Sequence, residues 1–164
     1  MSYPWVTYKL GDLCEMRYGK MPKPSDKVET GFPIFSGYGV VGYAGSFHYA
    51  DPKIVVIARG VGGTGDIVMS PPNSFVTNIS IVLDLDHQAA LQEFLYYRLH
   101  ASTLRELRTG TAQPQVVIAD LKNYEVALPS LPTQKKIASI LSAYDDLIEN
   151  NNRRIEILEE MAQN

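Results

Sequence analysis

Hydrophobic residues follow two different patterns along the chain, and the change between them divides it. From residue 7 to about residue 85, short apolar runs alternate with breaks rich in glycine and proline. This alternation of apolar runs and breaks is typical of short strands joined by loops. The two runs richest in β-branched residues, 53–58 and 79–85, are predicted to be core strands.

Between residues 88 and 108 the pattern changes to that of a helix. The apolar positions, which polar residues separate, are Leu91, Phe94, Leu95, Leu99, Leu104 and Leu107. Gly110 follows as a stop signal, so we predict a helix that packs against the sheet. Residues 110–115 are predicted to form a polar loop, and residues 116–118 and 124–128 two further short strands.

The last 32 residues, 133–164, contain neither glycine nor proline and are predicted to form one long helix that Thr133 caps. Their apolar stripe advances alternately by four and three residues, which is the seam of a coiled coil. The stripe consists of Ile137, Leu141, Tyr144, Ile148, Asn151, Ile155, Leu158 and Ala162. At ~1.5 Å per residue the helix is roughly 45 Å long, more than a domain this small can cover. We expect part of it to project and to pair with another helix.

Asn151 is the polar member of that stripe and lies near the middle of the predicted helix. A polar residue in a seam costs stability and is tolerated where it pairs with a counterpart and fixes the register. In an antiparallel pair of identical helices, the midpoint residue meets its own copy across the two-fold axis. These features favour an antiparallel homodimer with Asn151 near the dyad. The alternative is an amphipathic helix that folds back on its own domain.

Composition and charge limit the classes of partner. The chain has 164 residues, 45% of them hydrophobic and 20% charged, which suits one or two soluble domains with a real core. Its formal net charge of −3 excludes a polycation that coats nucleic acid or lipid by bulk charge. Residues 1–132 carry 11 basic and 12 acidic groups, so any anionic partner must be met by a local patch.

Cysteine usage and hydropathy indicate a cytoplasmic protein. Cys14 is the only cysteine, which excludes internal disulfides and multi-cysteine zinc sites and fits a reducing compartment. We interpret it as a packed thiol. No apolar run approaches the ~18 residues needed to cross a bilayer, and the N-terminus lacks a basic region followed by an apolar stretch.

The motifs that suggest catalysis or nucleotide binding are incomplete. Residues 60–65 match G-x-G-x-x-G, but β-branched residues and two prolines follow where a dinucleotide site needs a helix. We predict instead a mobile glycine loop whose backbone approaches another molecule, with Arg59 either supplying charge there or forming an ordinary ion pair. Residues 70–73 resemble an amino-methyltransferase signature, but Asn73 replaces its aromatic residue, so we predict a turn.

No catalytic residue or metal ligand is predicted in this chain. His48, His87 and His100 lack the short spacing of metal ligands. Nucleophile motifs and a phosphate-binding loop are missing as well. The sequence therefore predicts a protein that is not itself an enzyme.

Five polar segments carry side chains suited to nucleic acid, namely 18–24, 36–39, 59–65, 77–78 and 108–115. Arg, Lys, Asn and Gln contact base edges through paired hydrogen bonds, whereas Ser, Thr and backbone N–H groups contact phosphates. Each segment alone occurs on many proteins.

The order of these segments resembles the specificity subunits of type I restriction-modification systems, which choose the DNA sequence on which methylation and cleavage subunits act. The similarity covers nearly the whole chain and corresponds to one target recognition domain plus one helical spacer. It is carried by Tyr8-Lys-Leu-Gly-Asp-Leu-Cys-Glu15, Tyr18-Gly-Lys20, Ile57-Ala-Arg-Gly60, Thr77-Asn-Ile-Ser-Ile81, Glu93-Phe-Leu-Tyr-Tyr97, Thr109-Gly-Thr-Ala-Gln113, Leu128-Pro-Ser-Leu-Pro132 and Gln134-Lys-Lys-Ile137.

The resemblance implies an α/β (α+β) target recognition domain at residues 1–132, with a small mixed sheet, flanking helices and loops that enter the major groove. One long coiled-coil helix follows at 133–164. Members of the family usually carry two such domains and two spacers, which recognise two half-sites separated by a fixed gap. Two copies of this chain would rebuild that arrangement and recognise a symmetric bipartite target. Since members continue into further helix, the chain is expected to be a half-subunit, whether natural, truncated or trimmed.

The resemblance also implies the partners and the sites. The expected contacts to double-stranded DNA are Lys20, Lys23, Ser36, Tyr38, Arg59, Gly62, Thr64, Asn78, Arg108, Thr109, Thr111, Gln113 and Gln115. The expected dimer seam comprises Ile137, Leu141, Tyr144, Ile148, Asn151, Ile155 and Leu158. A methyltransferase (M) subunit and a restriction-translocase (R) subunit are the expected protein partners. S-adenosylmethionine, ATP and Mg²⁺ belong to those subunits, and no cofactor is expected in this chain.

Two other functions remain open. The chain is alternatively the recognition part of a single-chain restriction-methylation enzyme that has lost its catalytic half. It is otherwise a coiled-coil decoy that binds the partner subunits without DNA. A methyltransferase encoded nearby favours the specificity subunit over the fragment of a single-chain enzyme. DNA binding distinguishes both of these from the decoy.

Overall fold

The structure is a computed structural model that describes residues 5–60, 62–86, 88, 90–110 and 112–163. The strands are β1 (Val6–Lys9), β2 (Cys14–Tyr18), β3 (Lys27–Val28), β4 (Phe32–Phe35), β5 (Val40–Ala44), β6 (Ile54–Ile57), β7 (Ile67–Met69), β8 (Phe75–Val76), β9 (Ser80–Leu85) and β10 (Glu125–Leu128). The α-helices are α1 (Leu10–Leu13), α2 (Gln92–Ser102), α3 (Ile118–Asn123) and α4 (Leu131–Gln163). Within the described residues, no helix is long and apolar enough to span a membrane.

Within the part of the chain that the structure describes, the strands form three sheets. The first is antiparallel, with the order β2-β9-β6-β7, and the second has the order β3-β5-β4-β8. The second sheet is mixed because β4 and β8 run parallel while its other pairs are antiparallel. In the third, β1 pairs with β10, which joins the two ends of the globular part. The predicted mixed α+β architecture with a long C-terminal helix is confirmed.

Both faces of strand β6 are buried, which explains its uninterrupted apolar sequence. Ile54 and Val56 belong to the main core, which also contains residues of the helices. Val55 faces the other side, where it clusters with Phe35 and Val76 of the second sheet. The second sheet therefore packs on the face of the first that is opposite the helices, and the predicted core strands at 53–58 and 79–85 are confirmed.

Helix α2 is shorter than the sequence predicts. Its buried residues Phe94, Leu95 and Leu99 pack on the main core as expected. Thr103 then adopts a positive φ of 49°, which ends the helix, and a three-residue 3₁₀ turn follows at Arg105–Leu107. The predicted strand at 124–128 is confirmed as β10.

The predicted strand at 116–118 is wrong, because Ile118 is the first residue of α3. The Val117 carbonyl accepts hydrogen bonds from the N–H groups of Asp120 and Leu121, both at 3.2 Å. Leu121 is fully buried in the main core. The β-branched sequence favours a strand locally, but burial of Leu121 is achieved by the helix, so tertiary packing overrides propensity.

The long helix α4 begins at Leu131, upstream of the predicted cap at Thr133. Pro132 therefore lies in the first turn, where a missing N–H leaves no hydrogen bond unmade. The Ser130 carbonyl accepts the first helical hydrogen bonds, from the N–H groups of Thr133 and Gln134, both at 2.9 Å.

Gln134 anchors this helix to the globular part. Its side chain, 1% exposed, accepts a hydrogen bond from the Leu91 N–H and donates one to the Pro129 carbonyl, both at 2.9 Å. Ala138 is buried one turn later, and Ile137 packs against the main core. From Leu141 onward the helix has no buried residue among those described, so only its first turns are buried against the domain.

Candidate nucleic-acid interface

The turn at residues 77–80 connects two of the five segments predicted to contact nucleic acid. The Thr77 N–H donates a hydrogen bond to the Phe35 carbonyl at 2.9 Å, and the Ser80 hydroxyl donates one to the Ser36 carbonyl at 3.0 Å. On its other side, the Gly19 N–H donates to the Ser80 carbonyl at 3.0 Å. The segments at 18–24 and 36–39 are therefore attached to opposite sides of the same turn.

Arg59 is attached to this turn as well. The Ile79 carbonyl accepts hydrogen bonds from the N–H groups of Ala58, at 2.8 Å, and Arg59, at 3.2 Å. The Arg59 guanidinium carbon lies 5.8 Å from the centroid of the Tyr18 ring, within cation–π range. Its guanidinium group has no ion pair or hydrogen bond within the described part of the chain, so its charge and donors face outward unpaired.

Tyr38 packs on the glycine loop, which we define as residues 60–65. Its hydroxyl donates a hydrogen bond to the Arg59 carbonyl at 3.4 Å. Gly60 has a φ of +135°, and a Cβ atom there would lie 2.2 Å from the Tyr38 hydroxyl oxygen. A Cβ on Gly63 would lie 2.6 Å from a carbon of the same ring. A side chain at either position would displace the Tyr38 ring, and the positive φ of Gly60 favours glycine as well.

The glutamine loop, which we define as residues 109–115, belongs to the last of the five segments. Thr109 and Gln115 exchange two backbone hydrogen bonds of 2.9 Å, which close the loop at its base. Gln115 also forms a β-bridge with Arg59. A cavity of about 330 Å³ lies between the two loops and is lined by Arg59, Gly60, Ala112, Gln113, Pro114 and Gln115.

The five segments, far apart in sequence, are thus in contact with one another. The exposed predicted contacts are Lys20, Lys23, Tyr38, Arg59, Gly62, Thr109, Gln113 and Gln115. Asn78 and Arg108 are half-buried, whereas Ser36 and Thr64 are buried. Thr111 and His87 lie outside the described residues. Contact of these side chains with DNA stays a prediction.

Ser36, Thr64 and Arg108 form hydrogen bonds within the protein. The Ser36 hydroxyl donates to the Gly39 carbonyl at 3.1 Å and accepts from the Tyr38 N–H at 3.2 Å, which holds the turn at 36–39. The Thr64 hydroxyl donates to the Gly60 carbonyl at 2.8 Å within the glycine loop, and the Arg108 Nε donates to the Thr64 carbonyl at 2.7 Å.

Charges near the interface are distributed unevenly. Arg105 donates two hydrogen bonds to the Asp66 carboxylate, at 2.6 and 2.8 Å, and this pairing holds the pKa of Asp66 below its ordinary value. Burial, and secondly the nearby Lys20 ammonium group, lowers the pKa of His48, so its ring is neutral at pH 7. Unpaired positive charge is therefore supplied by lysine and arginine side chains such as Arg59.

Two residues that organise this surface were not predicted as site residues. A Cβ atom on Gly19 would lie 2.2 Å from the Thr77 carbonyl oxygen, so only glycine allows this approach. A glycine at the end of a strand pattern is a sequence signal for such proximity. Ser80, by contrast, carries no signal in the sequence, because its role depends on the position of Ser36.

The predicted turn at residues 70–73 is confirmed, whereas the mobility of the glycine loop and its approach to another molecule stay predictions. Strand β7, not a helix, follows the glycine loop, so the backbone that a dinucleotide site requires is not formed. Residues 70–73 end in a turn in which Asn73 has a φ of +50° and its N–H donates to the Ala50 carbonyl at 2.9 Å.

Comparison with known proteins connects this arrangement to one family. Residues 3–160 match the family model described as type I restriction modification DNA specificity domain. The chain is 35% identical over 94 residues to the type I restriction enzyme MjaIX specificity subunit of Methanocaldococcus jannaschii, covering 55% of this chain and 22% of that protein. It is 27% identical over 165 residues to the MjaVIII specificity subunit of the same organism, covering 94% and 39%.

Solved structures show the same fold. The S subunit of a type I restriction-modification system from M. genitalium superposes with a TM-score of 0.83 at 26% identity, over 95% of this chain and 43% of that chain. The HsdS subunit from Thermoanaerobacter tengcongensis gives a TM-score of 0.64 at 19% identity, over 91% and 39%. The chain therefore spans less than half the length of these relatives.

Proposed function

Because the chain belongs to the type I restriction modification DNA specificity family, we propose that it recognises one half of a bipartite DNA target and delivers a methyltransferase and a restriction subunit to it. The observation that carries this proposal is the meeting of five polar segments around the 77–80 turn, with Arg59 unpaired among them. Catalysis and its cofactors, S-adenosylmethionine, ATP and Mg²⁺, belong to the partner subunits.

The exposed side chains divide into two kinds of DNA contact. Arg59, Gln113 and Gln115 surround the cavity between the two loops and have the donors and acceptors that recognise base edges. Lys20 and Lys23 supply charge for phosphates. Tyr38, Gly62, Asn78, Thr109 and Thr111 belong to the same segments and complete the proposed interface.

The exposed seam of α4 supports assembly into an antiparallel homodimer. Its apolar members from Leu141 onward range from 37% exposed at Leu141 to 64% at Leu158, which is unusual for apolar residues that have no partner. Asn151 lies near the middle of this exposed part and meets its own copy across the two-fold axis. The two copies then recognise identical, inverted half-sites, and the length of α4 sets the gap between them.

A second apolar ridge on α4 supports binding of the methyltransferase subunit. Ile140, Leu147, Ile157 and Met161 each lie one position before a seam residue, and they are 48–70% exposed. One partner helix cannot cover both the seam and this ridge, because they are centred on different sides of the helix. The ridge therefore remains available to a second protein after the homodimer has formed.

Affinity of the isolated chain for DNA is expected to be modest. Residues 1–132 carry 11 basic and 12 acidic groups, and two of the arginines there are paired with Glu15 and Asp66. Few phosphates are neutralised, so counterion release contributes little. Partner subunits that surround the duplex supply the remaining affinity.

The test is to co-express the chain with its cognate methyltransferase subunit and to map modified adenines across the host genome. We expect a palindromic motif of two half-sites separated by a fixed gap. Two unrelated halves would contradict the homodimer. A chain that assembles with the methyltransferase but directs no methylation to any motif would overturn the proposed function and favour the decoy.

A further inference from the structure

Thr64 connects the glycine loop to the glutamine loop from a buried position. Thr64 is only 1% exposed. The hydroxyl donates a hydrogen bond to the Gly60 carbonyl at 2.8 Å and lies 3.4 Å from the Pro114 carbonyl. The first contact closes the glycine loop on itself, and the second places the glutamine loop against the same hydroxyl.

Arg108 makes a second connection between the loops. Its Nε donates a hydrogen bond of 2.7 Å to the Thr64 carbonyl, and its Nη2 is buried without a hydrogen-bond partner among the described residues. A guanidinium group that served to contact DNA would be exposed, as that of Arg59 is. Arg108 instead directs its Nε and Nη2 into the junction between the loops.

The glycine loop is held on its other side by Arg105, which binds Asp66 through two hydrogen bonds. Residues 64 and 66 are thus both attached to the segment 105–108. Arg59 and Gln115, at the bases of the two loops, are further joined by a β-bridge. The two loops therefore form one unit, in which the base-contacting groups have fixed relative positions.

We propose that Thr64 and Arg108 are positioning residues that set DNA specificity by fixing the glycine loop relative to the glutamine loop, without contacting DNA themselves. This inference rests on the proposed recognition of DNA. Paired hydrogen bonds to a base edge tolerate only small displacements of donor and acceptor. Loss of either connection therefore affects discrimination between sequences more than general attraction to the duplex.

Salt dependence separates this role from a phosphate contact. Removing one phosphate contact lowers the slope of log affinity against log salt concentration by about one. Removing a positioning residue leaves the slope unchanged and reduces the preference for the target over single-base variants.

The experiment uses the complex of this chain with its methyltransferase subunit and the target found by methylation mapping. Fluorescence anisotropy gives the dissociation constant for the target and for single-base variants at several salt concentrations. The variants are Thr64→Val, which keeps the shape and removes the hydroxyl, Thr64→Ser, which keeps the hydroxyl, and Arg108→Gln. Lys20→Gln is the matched control, because Lys20 is exposed and belongs to the proposed phosphate contacts.

We expect Thr64→Val and Arg108→Gln to keep the salt slope of the wild type and to lose about fivefold in target preference. Thr64→Ser should retain that preference, and Lys20→Gln should lower the slope by about one while target preference stays unchanged. A lowered slope in Arg108→Gln, or full preference in a folded Thr64→Val, overturns the inference. If Thr64→Val does not fold, Arg108→Gln decides by itself. A wild-type complex without preference for the mapped motif would instead overturn the proposed function.

Discussion

The Tyr97 hydroxyl on α2 donates a hydrogen bond of 2.7 Å to the Asp145 carboxylate on α4. Asp145 lies beyond Gln134 and Ala138, the buried residues with which the long helix is anchored. Burial, together with the bond to Asp145, raises the pKa of Tyr97, so the phenol remains a donor throughout the neutral range. The direction of the helix is thus fixed at two separate points along its length.

Loss of the hydrogen bond between Tyr97 and Asp145 should widen the range of gap lengths that the complex accepts between the two half-sites. Tyr97→Phe removes the hydrogen bond and leaves the ring, so the helix is free to pivot about Gln134. We expect methylation to spread to targets whose gap is one base pair longer or shorter, while the half-site sequences stay the same. The measurement is methylation mapping with the methyltransferase subunit.

Tyr96→Phe is the matched control, since the Tyr96 hydroxyl makes no hydrogen bond within the described residues. It should leave the gap unchanged. An unchanged gap in Tyr97→Phe as well would show that the anchor at Gln134 suffices.

Replacement of Gln134 should cost stability. Gln134→Leu leaves the Leu91 N–H and the Pro129 carbonyl without their partner in a buried site. Each lost bond costs about 1–2 kcal/mol, so the free energy of unfolding should fall by about 2–4 kcal/mol in a urea titration followed by circular dichroism. Gln113→Leu, in an exposed loop, should change it by under about 0.5 kcal/mol.

The sequence predicts the parts of the fold whose cause is local. Strands β6 and β9 follow from continuous β-branched runs, and α4 follows from a seam repeated without interruption. The segment 116–118 was predicted wrongly because the position of Leu121 in the core, not the propensity of its neighbours, decides its conformation.

The candidate site could likewise be predicted only in part from the sequence. Polar segments are visible in the sequence, but the direction in which each side chain points is not. Arg108 points inward because the Thr64 carbonyl, 44 positions away in sequence, accepts its hydrogen bond. Arg59 remains exposed because its backbone, not its guanidinium group, is fixed by the turn at 77–80. Such a difference between two arginines depends on tertiary contacts alone.

The Cys14 thiol should be unreactive in the folded protein. Burial, and secondly the charge of Asp84, raises the pKa of Cys14 to about 12, so at pH 8 only about one molecule in ten thousand carries the reactive thiolate. Iodoacetamide labelling followed by mass spectrometry should be slow until urea unfolds the chain. Complete labelling within minutes without urea would contradict this environment.

The same shift predicts a loss of stability at high pH. The unfolded chain releases this proton near the ordinary value of 9.0, and the folded chain releases it only near 12. The buried neutral thiol therefore makes its full contribution to the free energy of unfolding below pH 9. That contribution is lost as the pH rises from 9 toward 12. Cys14→Ala should reduce this alkaline dependence in urea titrations at several pH values.

Ile148 should be essential for the proposed homodimer. Ile148→Glu places a carboxylate in the seam of each copy, where it would be desolvated without a partner. The dimer dissociation constant should rise at least about tenfold in sedimentation equilibrium. Ser139→Glu adds the same charge on the opposite side of α4 and should leave the dimer intact. Equal dissociation constants for the two variants would exclude pairing through this seam.

Ile157 should separate binding of the methyltransferase subunit from dimer formation. It belongs to the second ridge and lies on a side of α4 that the paired seam leaves exposed. Ile157→Glu should therefore weaken capture of the methyltransferase subunit at least about tenfold in titration calorimetry while the chain remains a dimer. Ile148→Glu should have the opposite effect, weakening the dimer more than the binding of the methyltransferase subunit. If both variants weaken both interactions equally, one surface serves both partners, and the assignment of two separate ridges is wrong.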